Sequence, residues 1–119
     1  MTEDTKNENL SFPILPTEGI RFLGLCRRCG KVVMGAGQVL AAVTGKKVPA
    51  VVIVAADASE RTKKQLRDKC SHRNIPTLSF PQSGEELARL LGKEGVVMAV
   101  GVTDQSMGRR IISLASGEA

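Results

Sequence analysis

Aromatic side chains are scarce in this chain of 119 residues, which has three phenylalanines and neither tryptophan nor tyrosine. The core must therefore be built from valine, leucine, isoleucine and alanine, and hydrophobic residues make up 42% of the sequence. This length and this apolar fraction predict one compact domain with a core large enough to fold alone.

A long apolar run is also absent, since the longest covers only residues 48–56. This is well short of the roughly 20 residues that a helix needs to cross a bilayer. The polar, acidic start MTEDTKNEN also lacks the charged-then-apolar pattern of an export signal. We therefore expect a cytoplasmic protein that has no membrane partner and keeps its three cysteines reduced.

Residue patterns typical of catalysis are missing too. His72 is the only histidine, and no serine, histidine and acid fall into a triad pattern. No pair of carboxylates has a spacing that suggests acid–base chemistry. We therefore predict a protein that is not an enzyme, with no catalytic residue, no small-molecule substrate and no cofactor.

Charge is distributed unevenly along the chain. Residues 1–18 carry four acids against one lysine, a balance of −3, whereas residues 19–119 carry 16 basic and 8 acidic side chains, a balance of +8. We expect residues 1–18 to form a flexible acidic tail, in which Phe12, Ile14 and Leu15 could dock on the domain, and residues 19–119 to form that single domain. A basic domain of this size favours a polyanion, most commonly nucleic acid, as its partner.

Helix and strand signals alternate along the domain. We predict helices over 17–28, from Gly35 to Gly45, from Asp57 to Arg73, from Ser83 to Gly92, and a last helix capped by Thr103 or Asp104. We predict strands over 31–34, 49–57, 77–80 and 96–102. Asp57 with Glu60 and Ser83 with Glu86 have the spacing of capping boxes. The alternation indicates the α/β class, as a three-layer α/β/α sandwich with a small mixed four-stranded sheet.

The segment LCRRCGKVVMGAGQ, residues 25–38, concentrates the candidate chemistry. Cys26 and Cys29 form a C-x-x-C pair beside two arginines, but both lie late in a helix on its apolar arc, which favours core packing. A thiol or zinc module remains the alternative. Zinc would need two further ligands, and Cys70 and His72 are the candidates. Because Cys70 lies on the core face of its own predicted helix, we predict no metal site.

The glycines of the same segment suggest a different use. Gly35 and Gly37 keep side chains away from the first turn of a helix, where free N–H groups attract phosphate. The helical wheel also leaves Gly37, Gln38 and Ala41 facing outwards. A plain tight turn is the alternative.

Three segments resemble the ribosomal protein L7Ae family, and in particular its small bacterial branch: LGLCRRCGKVVMGAGQVLAAV, AVVIVAADASERTKKQLRDKCSHRNIP and LARLLGKEGVVMAVGVTD. The likeness covers residues 19–116. It implies a three-layer α/β/α fold that binds kink-turn RNA, with the start of the second helix against tandem G·A pairs. It also implies a hydrophobic loop, before the last strand, that packs on a base flipped out of the kink.

The resemblance assigns the RNA-binding residues by position. The helix start corresponds to Gly35, Ala36, Gly37 and Gln38, and the loop corresponds to Lys93, Glu94, Gly95, Val96, Val97 and Met98. Three positions depart from the family's pattern: Gly37 replaces a common Asn, Gln38 a common Glu, and Ala41 a common Lys. Because a glutamine can still donate and accept at a base edge, we expect RNA binding with lower affinity or altered preference.

Our leading hypothesis is a non-enzymatic RNA-binding protein whose partners are structured RNA, with kink-turns, ribosomal RNA and the ribosome as candidates. Gln38 reads base edges, and Val96 and Val97 pack on an unstacked base. Four cations neutralise phosphates in this hypothesis: Arg28, Lys31, Lys46 and Lys47. A protein-interaction module of the same fold is a further alternative.

Overall fold

Five helices and four strands alternate along residues 12–117, the part of the chain that the computed structural model describes. The helices are α1 (Thr17–Arg28), α2 (Ala36–Val43), α3 (Glu60–His72), α4 (Gly84–Leu90) and α5 (Gln105–Ala115). The strands are β1 (Val32–Met34), β2 (Val51–Ala55), β3 (Thr77–Phe80) and β4 (Ala99–Val102). None of these helices is long and apolar enough to cross a membrane.

The strands form one mixed sheet in the order β1-β4-β2-β3. Strands β2 and β3 are parallel, whereas β4 is antiparallel to both β1 and β2. Every residue of the interior strands β2 and β4 is buried, as the unbroken apolar runs predict for strands covered on both faces. The predicted four-stranded mixed sheet is confirmed.

Helices cover both faces of this sheet. One cluster of buried side chains joins α1, α4 and α5 to alternate residues of β2, including Val51 and Ile53. A second cluster joins α2 and α3 to the intervening residues Val52 and Val54. Because neighbouring strand residues point to opposite faces, β2 contributes to both clusters, and the predicted α/β/α sandwich is confirmed.

The two ends of the sheet carry different segments of the chain. The Gly35 end holds Met34, Ala55 and Ala99 together with the starts of α2 and α3, and the Thr103 end holds Lys31 and Val102. The two ends of β4 are about 10 Å apart, at about 3.4 Å per strand residue.

Part of the expected tail belongs to the packed domain. Leu15 is only 1% exposed and lies in the cluster beneath α1. Ile14 forms a bridge with Ser79 of β3, and Phe12 packs against the cluster beneath α2 and α3. The docking that these apolar residues allow therefore occurs, which moves the domain boundary before residue 18. The remainder of the expected tail, residues 1–11, lies outside the described residues.

The predicted capping box at the start of α3 is wrong. The Ser59 hydroxyl, and not the Asp57 carboxylate, accepts the hydrogen bond from the Thr62 amide that caps this helix. A turn in which the Ala58 amide donates to the Ala55 carbonyl delays the helix beyond Asp57. The freed Asp57 carboxylate instead accepts a 2.9 Å hydrogen bond from the Gly84 amide at the start of α4.

The last strand is shorter than predicted. Strand β4 begins at Ala99, and residues 96–98 form part of the connection from α4. In that connection the Val97 amide donates to the Gly84 carbonyl at 3.0 Å, so the connection turns back towards α4 before the sheet begins.

The other helix caps agree with the sequence: Ser83 caps α4 and Asp104 caps α5.

Candidate nucleic-acid interface

Helix α2 begins at a glycine whose backbone conformation other residues rarely adopt. Gly35 has φ 101° and ψ 139° and is the N-cap of α2. Its amide donates a 2.8 Å hydrogen bond to the Ala99 carbonyl, and its carbonyl accepts one from the Val39 amide. The positive φ explains why glycine is needed here, because a side chain at this position would be strained.

The N-terminus of α2 is unlike that of any other helix in residues 12–117. It has neither a side-chain cap nor an acidic residue in its first turn. Helices α3, α4 and α5 are each capped by a side chain, and α1 has Glu18 in its first turn. Neither a capping side chain nor an acidic side chain of its own first turn therefore offsets the positive end of the α2 dipole.

The peptide amides at this helix start are available to a ligand. The amides of Ala36, Gly37 and Gln38 have no hydrogen-bond acceptor among the described residues. Gly37 and Gln38 are exposed, Ala36 is half-buried, and a Cβ added to Gly37 would meet no atom within 4 Å. Such an open turn, with amides directed outwards, can accept a phosphate or a polar base edge.

Residues 93–98, here called the Val96 loop, lie beside this helix start. The loop leads directly into Ala99, the residue that accepts the Gly35 hydrogen bond. The Met98 carbonyl accepts a 2.8 Å hydrogen bond from the Ala55 amide, which ties the loop to the end of β2. The two segments that the resemblance assigns to RNA binding are therefore adjacent in space.

Within the Val96 loop the two valines have opposite environments. Val96 is 52% exposed, whereas Val97 is 1% exposed and lies in the core. The prediction that both valines pack on a base is therefore wrong for Val97, because its side chain has no free face. Lys93, Glu94 and Gly95 are exposed, and Met98 is half-buried.

A glycine in α4 positions the loop. A Cβ added to Gly84 would lie 2.8 Å from Cγ1 of Val96 and 3.0 Å from both Cε and Sδ of Met98. Only a residue without a side chain lets the loop approach α4 so closely. The Asp57 carboxylate accepts a hydrogen bond from the amide of Gly84. The sequence analysis assigned neither residue to the site, because these contacts join segments that are distant in the chain.

The four predicted phosphate-binding cations do not surround the helix start. Lys31 lies at the Thr103 end, where its carbonyl accepts a hydrogen bond from the Thr103 amide. Strand β1 separates it from Gly35 by about 13 Å, at about 3.3 Å per residue. Lys46 and Lys47 follow the C-terminal end of α2, which is about 12 Å long at 1.5 Å per residue.

Arg28 is also remote from the helix start, because the sheet lies between them. It ends α1, which lies on the opposite face of the sheet from α2. The sequence patterns predict that Arg28 lies at the end of a helix. They do not show that this helix, α1, and α2 belong to different layers. The four cations predicted to neutralise phosphates therefore do not lie together at Gly35.

The cysteine pair is divided between the core and the surface. Cys26 is fully buried, whereas Cys29 is exposed. Burial, together with smaller contributions from the nearby Cys29 and Asp104, raises the pKa of the Cys26 thiol to about 11. Burial also raises the pKa of Cys70, against a smaller lowering by its hydrogen bond with Thr77. A thiol with a raised pKa is a poor nucleophile and a poor metal ligand.

Metal ligation has no further support in the described part of the chain. No group of three or more histidine, cysteine, aspartate or glutamate side chains is arranged there to hold an ion. Cys70 is buried in the cluster beneath α2 and α3, whereas Cys26 lies in the cluster on the other face of the sheet.

Comparison with known proteins places the chain in a family. The family model for the "Ribosomal protein L7Ae/L30e/S12e/Gadd45 family" matches residues 21–110. A Bacillus subtilis (strain 168) protein named RNA-binding protein YlxQ is 36% identical over 97 residues, covering 82% of this chain and 94% of that protein. A protein of the same name from Enterococcus faecium is 31% identical over 100 residues, covering 84% and 93%.

Two solved structures share the fold. A Bacillus halodurans protein described as having unknown function is 31% identical with a TM-score of 0.77, covering 85% of this chain and 99% of that one. The Giardia lamblia 15.5kD RNA binding protein has a TM-score of 0.75 at 18% identity, covering 91% and 93%, and supports the fold alone. From its sequence match and its architecture, this chain belongs to the ribosomal protein L7Ae/L30e/S12e/Gadd45 family.

Proposed function

We propose that this chain binds structured RNA, and that it prefers RNA bent sharply enough to present a distorted groove and an unstacked base, as a kink-turn does. The observation that carries the proposal is the uncapped, acid-free start of α2 lying beside the Val96 loop. The names of the two bacterial relatives, both RNA-binding protein YlxQ, support RNA as the partner class.

Each half of the site has a separate task in this proposal. The first turn of α2 enters the distorted groove, where Gln38 contacts base edges, because its amide side chain can both donate and accept. Gly37 is exposed and without a side chain, so the RNA backbone can approach the helix closely. Val96 offers an exposed apolar surface to a base that has left the stack.

Lysines at the Thr103 end contact the flanking stem. Lys31, Lys46 and Lys47 are exposed, and none of them forms an ion pair with a described residue. Their separation from Gly35, about 12–13 Å, requires RNA that extends along α2 and β1. The role is one of binding and not of catalysis, and ribosomal RNA within the ribosome is one source of such RNA.

The test compares a kink-turn hairpin with a straight duplex of equal length and composition. We expect the wild-type protein to bind the hairpin more tightly, with an affinity that falls with salt at a slope of about −3 if the three lysines each meet a phosphate. Equal affinity for the two RNAs would contradict the proposed shape preference.

Two variants separate the two kinds of contact. Gln38→Ala should weaken the hairpin complex and leave the weak duplex complex unchanged, because base edges are accessible only in the distorted groove. The double variant Lys46→Gln and Lys47→Gln should weaken both complexes and make the salt slope shallower by about 2. If Gln38→Ala has no effect on the hairpin, the α2 start is not the RNA-reading surface.

A further inference from the structure

A groove between α1 and α5 is left without a role by the proposed function. It has a volume of about 380 Å³ and lies on the opposite face of the sheet from α2. Its lining comprises Glu18, Arg21, Phe22, Leu25, Arg28, Arg110 and Leu114. We call it the arginine groove.

The lining alternates cations with apolar side chains along each helix. On α1, Arg21, Leu25 and Arg28 stand at positions i, i+4 and i+7, which form one stripe on a helical surface. On α5, Arg110 and Leu114 are four residues apart and form the facing stripe. The result is an apolar centre with guanidinium groups on several sides of it.

The cations of this groove have no partner among residues 12–117. Arg21, Arg28 and Arg110 are all exposed, and none of them forms an ion pair or a side-chain hydrogen bond with a described residue. Glu18 is the one acidic residue among the groove's lining residues, and it stands at the N-terminal end of the α1 stripe. Three arginines against one glutamate leave a local excess of positive charge that fits an anionic ligand.

The apolar centre is exposed as well. Leu25 is 37% exposed and is one of three large hydrophobic side chains exposed in residues 12–117, the others being Ile14 and Val96. Surface leucines occur singly in most proteins, but this one lies between two arginines on its own helix. A ligand that complements the groove therefore has an apolar element flanked by negative charges.

A second groove continues the positive surface across α1. Its volume is about 330 Å³, and it lies between α1 and α4, lined by residues that include Arg27, Arg28 and Arg89. Arg28 thus borders both grooves. In this second groove, Nε of Arg27 is occupied by a 3.0 Å hydrogen bond to the Leu91 carbonyl.

We propose that the arginine groove binds a single-stranded segment of RNA, separately from the RNA held at α2. In a single strand the bases are free to leave the stack, so one base can pack on Leu25 and Phe22 while the flanking phosphates contact Arg21, Arg28 and Arg110. A guanidinium group suits this task because its planar fork can donate two hydrogen bonds to one phosphate. A duplex hides its bases and fits the apolar centre poorly.

The choice of RNA as ligand rests on the proposed function, whereas the groove itself does not. Because α1 and α2 cover opposite faces of the sheet, one molecule could hold two RNA segments at once. The chain would then join a bent RNA to a neighbouring single strand.

The test uses the full chain and a fluorescent oligouridine of about ten nucleotides, within the range that single-strand sites occupy. Its binding is measured by anisotropy, first with free protein and then with protein saturated by the kink-turn hairpin. We expect the oligouridine to bind the hairpin complex and to leave the hairpin in place. Displacement of one RNA by the other would show a single shared site and overturn the proposal.

The groove variant replaces Arg21, Arg28 and Arg110 with glutamine. We expect its oligouridine affinity to fall and its salt slope to become shallower by about 2, at about 0.7 per phosphate contact for single strands. Its hairpin affinity should change less than twofold, because these arginines lie in a different layer from α2. An unchanged slope would overturn the proposal.

A control variant removes the same charge from another surface. Arg61, Lys64 and Lys69 are exposed on α3, and their replacement by glutamine lowers the net charge by the same three units. If this control weakens oligouridine binding as much as the groove variant does, binding depends on net charge and the groove assignment fails.

A single substitution at the centre tests the base contact. Leu25→Ser should weaken oligouridine binding without changing the salt slope, because it removes an apolar surface and no charge. No effect on affinity would contradict the packing of a base on Leu25. Should the hairpin fail to bind while these effects are seen on free protein, the site at α2 would be refuted and the groove retained.

Discussion

The Gly35 amide and the Ala99 carbonyl are joined by a 2.8 Å hydrogen bond. Gly35 is the N-cap of α2, and Ala99 is the residue that follows the Val96 loop. This bond therefore fixes the two halves of the proposed RNA site against each other. Both segments are weak signals when they are considered separately, and the proposed RNA site rests on their juxtaposition.

The geometry of Gly35 predicts unequal effects of alanine at two neighbouring glycines. Gly35→Ala should lower the free energy of unfolding by about 1–3 kcal/mol, because φ 101° strains any residue with a side chain. Gly37→Ala should leave stability unchanged or raise it by up to about 1 kcal/mol, since its Cβ meets open space within a helix. Urea unfolding of the two variants measures the difference, and equal losses would show that Gly35 is not strained.

The open space at Gly37 also allows a gain of function. Gly37→Asn restores the residue that is common at this position in the family, and the added Cβ would meet no atom within 4 Å. We expect tighter binding of the kink-turn hairpin by about fivefold, which corresponds to about 1 kcal/mol for one additional base contact. Gly37→Ala is the matched control for helix stabilisation. If alanine produces the same gain, the amide of asparagine makes no contact.

Substitutions of the two valines in the Val96 loop should separate an effect on stability from an effect on RNA binding. Val97→Ala removes a buried side chain and should lower the free energy of unfolding by about 2 kcal/mol. Val96→Ala removes a side chain that is 52% exposed, so it should weaken hairpin binding with little loss of stability. Chemical denaturation and hairpin titration are both needed for each variant. Full RNA affinity in Val96→Ala would remove Val96 from the site.

Thiol reactivity tests the remaining role of the C-x-x-C pair. In native protein near neutral pH, Cys29 should react rapidly with a thiol reagent, whereas Cys26 and Cys70 should react only as the protein unfolds. Cys29→Ser should abolish the rapid phase. Two rapidly reacting thiols, or one zinc ion bound per chain, would instead favour the thiol or zinc module.

The buried Cys26 thiol predicts a loss of stability at alkaline pH. Its pKa is raised from 9.0 to about 11, so above pH 9 the unfolded state releases this proton while the folded state keeps it. The stabilising contribution is complete below pH 9 and is lost as pH rises towards 11. We expect Cys26→Ala to have a shallower fall of unfolding free energy over this range than the wild type. An identical fall would show that Cys26 does not titrate differently on unfolding.

Much of the architecture could be predicted because local patterns carry it. Helix α1 has the predicted bounds, and β2 and β4 lie inside the predicted apolar runs. The exposure of Gly37 and Gln38 also follows from the helical period alone. These features depend on near neighbours in the chain, which a linear pattern records.

Other features depend on contacts between distant segments. Asp57 has a good capping spacing with Glu60, yet its carboxylate binds the Gly84 amide, which lies 27 residues away. Val96 and Val97 have identical side chains, but only Val97 is buried. The amide of Val97 donates a hydrogen bond to the Gly84 carbonyl, which belongs to a different segment of the chain. No property of the isolated segment distinguishes these two valines.

The sequence by itself determined the α/β layers, the glycine-led start of α2 and the basic character of the domain, because periodicity, backbone freedom and charge are local properties. Tertiary structure alone decided which of these features meet. It brought the Val96 loop to Gly35, and it moved Arg28 to the other face of the sheet. The physical reason is that strand pairing and layer packing set distances between segments, and these distances are not written in the order of residues.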